Sequence, residues 1–225
     1  MGDNMEEDLA EALVEGARAL GVELPTSSLE AFDFFLNELM RWNRKMNLTG
    51  IKDPHGIVVK HFLDSVAVSP YISPGSSLLD VGSGAGFPCI VLKILDPGLK
   101  VTSIDSSGKK LSFQRHLIRR LGLKDTDAVQ ARLPDPGVVE RFNRVFDYAI
   151  SRAFGSLGAL LRIARPLIKD AGIVIAMKGK MEGKNGTSND VAKQFNMKLQ
   201  RTVSFTLPFT TADRTLLFFV KEEFP

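Results

Sequence analysis

Cysteine is almost absent from the sequence, with Cys89 as the one example in 225 residues. This scarcity excludes an internal disulfide and a cysteine-rich zinc site, and it is typical of a protein that works in the reducing cytosol. Histidine is also scarce, and His55, His61 and His116 are not spaced as metal ligands. We therefore expect a cytoplasmic protein without a bound metal.

Long apolar segments are missing as well. No stretch approaches the ~20 consecutive apolar residues that a membrane-spanning helix needs. The amino terminus is acidic, whereas a secretory signal begins with basic residues and continues with an apolar run. We therefore expect no membrane partner.

A large excess of one charge is also missing. Lysine and arginine number 29 against 26 aspartates and glutamates, which gives a formal net charge of +3 and a sequence pI of about 9.0. This mildly basic balance permits a nucleic-acid partner without requiring one. Apolar residues are plentiful, at 44% of the chain, which is enough to build a sizeable core.

The most informative stretch is Leu78 to Pro88, with the sequence Leu-Leu-Asp-Val-Gly-Ser-Gly-Ala-Gly-Phe-Pro. Apolar residues up to the first glycine predict a short buried strand, followed by a tight turn at Gly82, Gly84 and Gly86. Asp80 places a carboxylate at the carboxyl end of that strand. A ligand is therefore expected to approach the main chain closely at this turn.

The spacing of these glycines indicates which ligand the turn binds. A dinucleotide fingerprint has the spacing Gly-x-Gly-x-x-Gly, and the carboxylate of Asp80 would repel a pyrophosphate. S-adenosylmethionine carries a sulfonium and an amino group and has no phosphate, so an acidic, glycine-lined turn suits it. The alternative is an ordinary strand-to-helix turn, in which glycine is also common.

The order of elements predicts the fold class. Helical patterns fill residues 1–70, which we interpret as a small helical extension, and strands alternate with helices in residues 71–225. Two apolar stretches, Thr202 to Leu207 and Thr215 to Val220, predict an antiparallel hairpin at the sheet edge. We expect an α/β fold of the Rossmann-like type with a mostly parallel, seven-stranded sheet. The polar stretch 181–190 predicts a loop.

Polar residues follow two further predicted strands. Asp105 ends the second strand, where its carboxylate can accept hydrogen bonds from both hydroxyls of a ribose, although a helix N-cap is nearly as good an interpretation. The sequence Ser151-Arg152-Ala153-Phe154 follows the fourth strand and offers a guanidinium and an aromatic ring. Arg152 is a candidate for positioning the methyl acceptor, and a surface ion pair is its alternative.

The residues also narrow the class of acceptor. The Asp/Asn-Pro-Pro-aromatic turn that suits an exocyclic amine is absent, and Cys89 is poorly placed to act as the nucleophile that a pyrimidine carbon requires. An acceptor with a free lone pair, such as guanine N7, needs no general base. Catalysis would then consist mostly of alignment in a site that excludes water. We assign no catalytic acid or base.

One predicted helix, Gly108 to Leu121, carries a basic face. This face is either solvated or a contact for the phosphates of a nucleic acid, which would give salt-dependent and sequence-independent affinity. The candidate phosphate contacts are Lys109, Lys110, Arg115 and Arg119.

Several short motifs occur together in one order along the chain. They are Asn43, Asn47-Leu48-Thr49, His61 with Asp64-Ser65, Leu78 to Pro88, Asp105-Ser106 with Lys109-Lys110, Ser151 to Phe154, and Lys178-Gly179. Together they resemble the bacterial small-subunit ribosomal RNA guanine-N7 methyltransferase family, also called glucose-inhibited division protein B. The resemblance covers nearly the whole chain beyond residue 27.

The resemblance implies a class I methyltransferase fold, S-adenosylmethionine as the donor, and a guanosine of 16S ribosomal RNA as the acceptor. The partner would be this RNA, the small subunit or its precursor, and we expect a monomer. The implied cofactor contacts, added to Asp80, Gly84 and Gly86, are Gly82, Phe87, Asp105, Ser106, Arg132, Leu133, Pro134 and Arg152. The implied RNA contacts, besides the basic helix, are Asn47, His61, Asp64 and Lys178.

The chain departs from the family pattern at one turn. The family usually has an Ala-Glu pair after the arginine at this point, and here Leu133 and Pro134 stand in its place. A carboxylate is therefore missing where the adenine would lie, although backbone groups remain and Asp135 can compensate. Two other functions stay open: a non-catalytic RNA-binding protein on the same fold, and a nicotinamide-dependent oxidoreductase, which the glycine spacing disfavours.

Overall fold

The structure is a computed structural model that describes residues 7–152, 155–179 and 185–222. The helices are α1 (Glu7–Ala19), α2 (Thr26–Met46), α3 (Pro54–Ile57), α4 (Asp64–Val66), α5 (Cys89–Leu95), α6 (Gly108–Arg120), α7 (Pro136–Phe142), α8 (Leu157–Ala164) and α9 (Asn185–Lys193). A π-helical turn, Val58–Leu63, joins α3 to α4. The strands are β1 (Ser77–Val81), β2 (Lys100–Asp105), β3 (Thr126–Gln130), β4 (Phe146–Arg152), β5 (Ile168–Lys178), β6 (Met197–Thr206) and β7 (Asp213–Lys221).

The seven strands form one sheet in the order β3-β2-β1-β4-β5-β7-β6. Strands β1 to β5 pair in parallel, and β7 pairs antiparallel with both β5 and β6. The predicted fold class, a mostly parallel sheet with an antiparallel edge hairpin, is therefore confirmed. The direction of the strand order reverses between β1 and β4, and open sheets of this kind bind ligands at the carboxyl ends of the strands at such a reversal. Among the described residues, no helix is both long enough and apolar enough to cross a bilayer.

Apolar residues cover both faces of the sheet. One core joins α1, α2, the helical stretch 54–66, α5 and α6 to the sheet, and the other lies beneath α7, α8 and α9. Phe35 of α2 stacks on Phe87 of the glycine turn, with ring centroids 4.9 Å apart and an interplanar angle of 8°. The amino-terminal helices thus share a core with the sheet and support the turn directly. The division at residue 70 stays a prediction.

The loop predicted at 181–190 is wrong for its second half. Residues 185–190 begin α9, and residues 181–184 lie outside the described part of the chain. Ala192 is fully buried in the core beneath α8, and Ser188 is buried as well. Tertiary packing of one helix face therefore outweighs the local glycine and asparagine content, as it often does for weak propensities.

Gly86 is expected to be the glycine of the turn that tolerates substitution least. Its φ is +97°, and a Cβ built there would lie 2.6 Å from Cγ1 of Ile90. Gly122 is the matched control, because its φ is +62° and no atom lies within 4 Å of a Cβ at that position. Both alanine variants carry backbone strain, but Gly86→Ala also overpacks the core. It should lower the free energy of unfolding by about 1–3 kcal/mol more than Gly122→Ala in urea titrations. Equal losses would contradict this.

Candidate active site

Two depressions open at the carboxyl edge of the sheet on either side of the glycine turn. The first, called here the β2 pocket, has a volume of about 320 Å³ and is lined by Gly82, Ile104, Asp105, Ser106, Lys110, Ala131, Arg132 and Leu133. The second, the β4 pocket, has a volume of about 520 Å³ and is lined by Ile51, Lys60, His61, Asp64, Arg152, Met177, Lys178, Gly179, Arg214 and Leu216. The β2 pocket lies at the ends of β1, β2 and β3 and the β4 pocket at the ends of β4 and β5, so the two pockets flank the point at which the strand order reverses.

The β2 pocket is organised by the carboxylate of Asp105. Its Oδ2 accepts a hydrogen bond from the backbone N–H of Gly84 at 2.9 Å, and its Oδ1 accepts one from the N–H of Ser107 at 2.8 Å. Asp105 therefore ties the glycine turn to the start of α6. Each oxygen retains a lone pair, and the residue is half-buried at the pocket wall. Ribose binding by Asp105 stays a prediction, and the geometry leaves room for it.

The far wall of the β2 pocket is the turn that departs from the family pattern. Arg132 and Leu133 line the pocket, whereas Pro134 is exposed and does not. The carboxylate of Asp135 caps α7, because its Oδ1 accepts hydrogen bonds from the N–H groups of Gly137 at 2.9 Å and Val138 at 3.2 Å. Asp135 is thus engaged in capping and is not among the lining residues.

Asp80 lies beneath the glycine turn and is fully buried. Its Oδ2 accepts a hydrogen bond from the N–H of Cys89 at 3.1 Å, and its Oδ1 has no hydrogen-bond partner among the described residues. Burial raises the pKa of Asp80 to about 7, and hydrogen bonding from Cys89 and the positive charge of Arg152 oppose that rise only in part. An orphaned carboxylate oxygen in the interior is costly unless a donor or a cation approaches it.

The β4 pocket contains a cluster of charges centred on Asp64. Its Oδ1 accepts a hydrogen bond from Nε of Arg214 at 2.8 Å, and its Oδ2 lies 3.4 Å from Nη1 of Arg152. The same Nη1 donates to the carbonyl of Lys60 at 3.1 Å, and the guanidinium lies 5.2 Å from the ring centroid of Phe87. Arg152 is therefore not an exposed surface ion pair: it is held against the glycine turn with only 20% of its side chain exposed.

His61 is fixed by contacts on its ring face and both of its nitrogens. Its ring stacks on Phe87 with centroids 4.5 Å apart and an interplanar angle of 18°. Nδ1 lies 2.9 Å from Nη2 of Arg152 and Nε2 lies 2.7 Å from Oγ1 of Thr49. Because arginine only donates, Nδ1 accepts, and Nε2 therefore carries the proton and donates to Thr49. Burial and the nearby Arg152 lower the pKa of His61 to about 3, so the imidazole is neutral near pH 7.

The local backbone explains why these side chains meet. His61 belongs to the π-helical turn and Asp64 begins α4, so the two side chains approach the pocket from adjacent turns. Single π-helical turns within helices occur frequently at functional sites. The structure thus brings His61, Asp64 and Arg152 together in the β4 pocket.

Comparison with known proteins identifies the family of the chain. The sequence pattern of the family described as GidB, rRNA small subunit methyltransferase G, matches residues 28–216. The chain belongs to this family. The resemblance noted from its motifs is therefore confirmed. A relative from Geobacter metallireducens, the ribosomal RNA small subunit methyltransferase G, is 38% identical over 214 residues, which are 95% of this chain and 96% of the relative.

Solved structures agree on the fold outside the methyltransferase G family. A SAM dependent methyltransferase from Aquifex aeolicus superposes with a TM-score of 0.58 at 16% identity, over 77% of this chain and 97% of that chain. The [4+2]-cyclase SpnF gives a TM-score of 0.58 at 14% identity, over 88% of this chain and 97% of its own. At this level of identity the similarity shows the fold alone, and the reaction has to be inferred from the residues of the site.

The other predicted contacts of this methyltransferase G chain are distributed more widely. Lys178, at the end of β5, lines the β4 pocket, and Lys110 lines the β2 pocket. Arg115 is exposed on α6 and donates to the carbonyl of Ala128 at 2.7 Å. Lys109 and Arg119 are exposed on α6, and Asn47 is exposed at the end of α2, and none of the three lines either pocket. Ala153 and Phe154, predicted beside Arg152, lie outside the described residues.

Sequence reasoning missed two charged residues of the β4 pocket, Arg214 and Lys60. A signal for Arg214 was available, because the predicted edge hairpin places the start of β7 at the carboxyl edge of the antiparallel partner strand. The structure pairs Thr215 with Lys178 at that edge, which brings the neighbouring Arg214 over the pocket. Lys60 carried no such signal, since its placement depends on the π-helical turn.

Proposed function

We propose that the chain transfers the methyl group of S-adenosylmethionine to N7 of a guanosine in 16S ribosomal RNA, in the cytoplasm. Membership of the rRNA small subunit methyltransferase G family supports the reaction class and the RNA. The observation that carries the proposal is the pair of pockets on either side of the strand reversal. One contains the carboxylate of Asp105 beside Gly82, and the other contains four cationic side chains with the single carboxylate of Asp64. Methyl transfer needs two such sites side by side.

The β2 pocket and the turn beside it suit the donor. S-adenosylmethionine supplies an electrophilic methyl group on a cationic sulfur. The chain offers the carboxylate of Asp105, a close approach to the main chain at Gly82, and the orphaned Oδ1 of Asp80 beneath the turn. A cation near Asp80 would stabilise its ionised form and relieve the cost of burying that carboxylate. The β2 pocket also contains Lys110 and Arg132, so the groups that favour a cationic donor are the carboxylate of Asp105 and the buried carboxylate of Asp80.

The β4 pocket suits a nucleotide of RNA. Its charged lining residues are Lys60, Arg152, Lys178 and Arg214 against the single carboxylate of Asp64. A net positive, partly apolar pocket of this size matches a nucleotide turned out of its stack, with its base enclosed and its phosphates at the rim. The 16S RNA, alone or in the small subunit, is the partner that the family implies.

Among the described residues of the β4 pocket, neither Asp64, which is paired with Arg152 and Arg214, nor His61 is free to act as a general base. His61 is neutral, but both of its nitrogens are occupied by Arg152 and Thr49. Guanine N7 has a free lone pair and loses no proton when it is methylated, so a base is not required. The residues of the β4 pocket would act by orienting N7 in line with the methyl–sulfur bond and by excluding water.

Mass mapping of 16S RNA tests the proposal. Unmodified transcript and small subunits are incubated with the protein and labelled donor, and each modified base is located by mass spectrometry of nuclease fragments. A single 7-methylguanosine is expected. Methylation of an exocyclic amine or a ribose would overturn the chemistry. Stabilisation by a nicotinamide cofactor but not by S-adenosylmethionine in thermal unfolding would favour the oxidoreductase instead.

A non-catalytic role is the second candidate, and one observation favours it. Leu133 and Pro134 replace the family's Ala-Glu pair at the wall of the β2 pocket, and this removes a donor contact. The structure of SpnF has a similar fold, and SpnF is described as a [4+2]-cyclase and not as a methyltransferase. RNA binding without any methyl incorporation at saturating donor, in single-turnover conditions, would support this alternative.

A further inference from the structure

Phe209 is an apolar side chain left exposed at the turn between β6 and β7. Among the residues that the structure describes, the exposed large apolar side chains are Phe209, at 54%, and Val145, at 42%. Phe209 also has a φ of +61°, a backbone conformation in which a bulky residue is an outlier and glycine or asparagine is usual. An aromatic ring is therefore held towards solvent at a position that local backbone energetics disfavour.

This turn lies beside the β4 pocket. Arg214, which lines the pocket, starts the strand that follows the turn, and Thr215 pairs with Lys178 at the carboxyl edge of the sheet. Val145 precedes β4 and lies at the opposite edge. The two exposed side chains thus lie at opposite edges of the sheet. Of the two, Phe209 lies at the carboxyl edge, where the β4 pocket opens.

A second ring lies near Phe209, and two exposed lysines lie close to that ring in the sequence. The imidazole of His55 lies 6.4 Å from the Phe209 ring centroid, at an interplanar angle of 58°. Lys52 and Lys60, on either side of His55 in the sequence, are exposed, and Lys60 also lines the β4 pocket. Part of the phenyl ring rests on α1, since a Cβ at Gly16 would lie 3.0 Å from its Cε2. The ring is thus supported from beneath while about half of it faces solvent.

Aromatic rings bordered by lysines are typical of surfaces that bind single-stranded nucleic acid, because bases stack on the rings and phosphates pair with the cations. We propose that Phe209, with His55, is a stacking platform for an unpaired RNA base next to the target guanosine, and that Lys52 and Lys60 contact its phosphates. This inference rests on the proposed function. The platform would add a determinant of RNA specificity outside the β4 pocket, and Lys60 would belong to both.

Methylation kinetics with unmodified 16S RNA test the platform. Phe209→Leu keeps an apolar contact with α1 but removes the aromatic face, so the RNA KM should rise about tenfold with little change in kcat. Phe209→Trp should restore the original KM, because it keeps a stacking surface. Val145→Ala is the control at the opposite edge and should leave KM unchanged. A Phe209→Leu protein with the original KM would overturn the proposal.

Fluorescence gives a second readout that does not depend on turnover. The chain has a single tryptophan, Trp42, so Phe209→Trp adds one new emission signal. Titration with the 16S transcript should quench that added signal, and it should not quench the signal added by Val145→Trp. Equal quenching at both positions, or none at either, would contradict stacking at the turn. If the unsubstituted protein methylates nothing while quenching is specific, the proposed function fails and the platform stands.

Discussion

Asp80→Asn is expected to stabilise the ligand-free protein above pH 7 and to lower its affinity for S-adenosylmethionine about a hundredfold. Burial raises the pKa of Asp80 from 3.8 to about 7. A raised pKa means that the folded state holds the proton more tightly than the unfolded state. The associated stability is therefore complete below pH 3.8 and is lost as the pH rises through 7. Asparagine carries no charge at any of these pH values, so the Asp80→Asn protein does not lose stability through ionisation of this side chain.

Asp80→Asn should weaken donor binding even though it stabilises the ligand-free protein. The cationic donor would be attracted by the ionised carboxylate beneath the turn, and the neutral amide cannot replace that attraction in a partly dehydrated site. Urea unfolding between pH 4 and 8, together with titration calorimetry of the donor, measures both effects. A variant that binds the donor as tightly as the original protein would remove Asp80 from the donor site.

Asp147→Asn is the matched control for this pair of measurements. Burial raises the pKa of Asp147, but hydrogen bonds from Lys169 and Ser77 outweigh it and lower the pKa to about 2. The stability from Asp147 is thus present above pH 3.8 and is lost as the pH falls through 2. Asp147→Asn should destabilise the protein near pH 7 and leave donor binding unchanged, since Asp147 lies near the start of β4 at the opposite edge.

Asp64→Ala is expected to reduce methyl transfer at saturating RNA at least about a hundredfold, while donor affinity stays close to that of the unsubstituted protein. Asp64 is 5% exposed and joins two guanidinium groups, those of Arg152 and Arg214. Without it, the two arginines face each other beside Lys60 and Lys178, and their repulsion would displace them. A displacement of about 1 Å can cost a factor of about 10² in rate. Single-turnover kinetics with unmodified 16S RNA measure this directly.

The same substitution should lower the free energy of unfolding by about 2–3 kcal/mol. This is less than for a fully enclosed pair, because both arginine side chains keep about a fifth of their surface in solvent. Asp170→Ala is the matched control, since Asp170 also joins two cations, Arg144 and Lys221, at the other edge, where the Asp170 side chain is 72% exposed. Transfer by Asp170→Ala should be normal. If Asp64→Ala also transfers normally, the β4 pocket is not the acceptor site.

The sequence predicted the positions of the residues around the glycine turn better than those of the residues in the β4 pocket. The glycine turn, Asp80 and Asp105 lie within or directly after short buried strands, so their positions follow from strand order alone. His61 and Asp64 are close in the sequence, but Arg214 is 150 residues from Asp64, and only tertiary packing brings it to them. The motif resemblance placed the first two near the acceptor, but their ion pairs and the tautomer of His61 required coordinates.

Local composition was misleading where packing decides the outcome. Residues 185–190 are polar and contain glycine, yet they begin α9, because Ala192 on the same helix is buried beneath α8. Asp135 was a candidate replacement for a missing carboxylate, yet it caps α7. In both cases the residue types fitted two roles equally well, and the choice depended on neighbours that are distant in sequence.

The stacking of Phe35 on Phe87 has a consequence for anyone who builds chimaeras from relatives of this protein. Phe35 belongs to the amino-terminal helices. Phe87 belongs to the glycine turn beside the β2 pocket and also contacts His61 and Arg152. A crossover point placed between the two segments would combine rings selected in different backgrounds. Chimaeras that take both rings from one parent preserve the apolar packing that supports the glycine turn, His61 and Arg152.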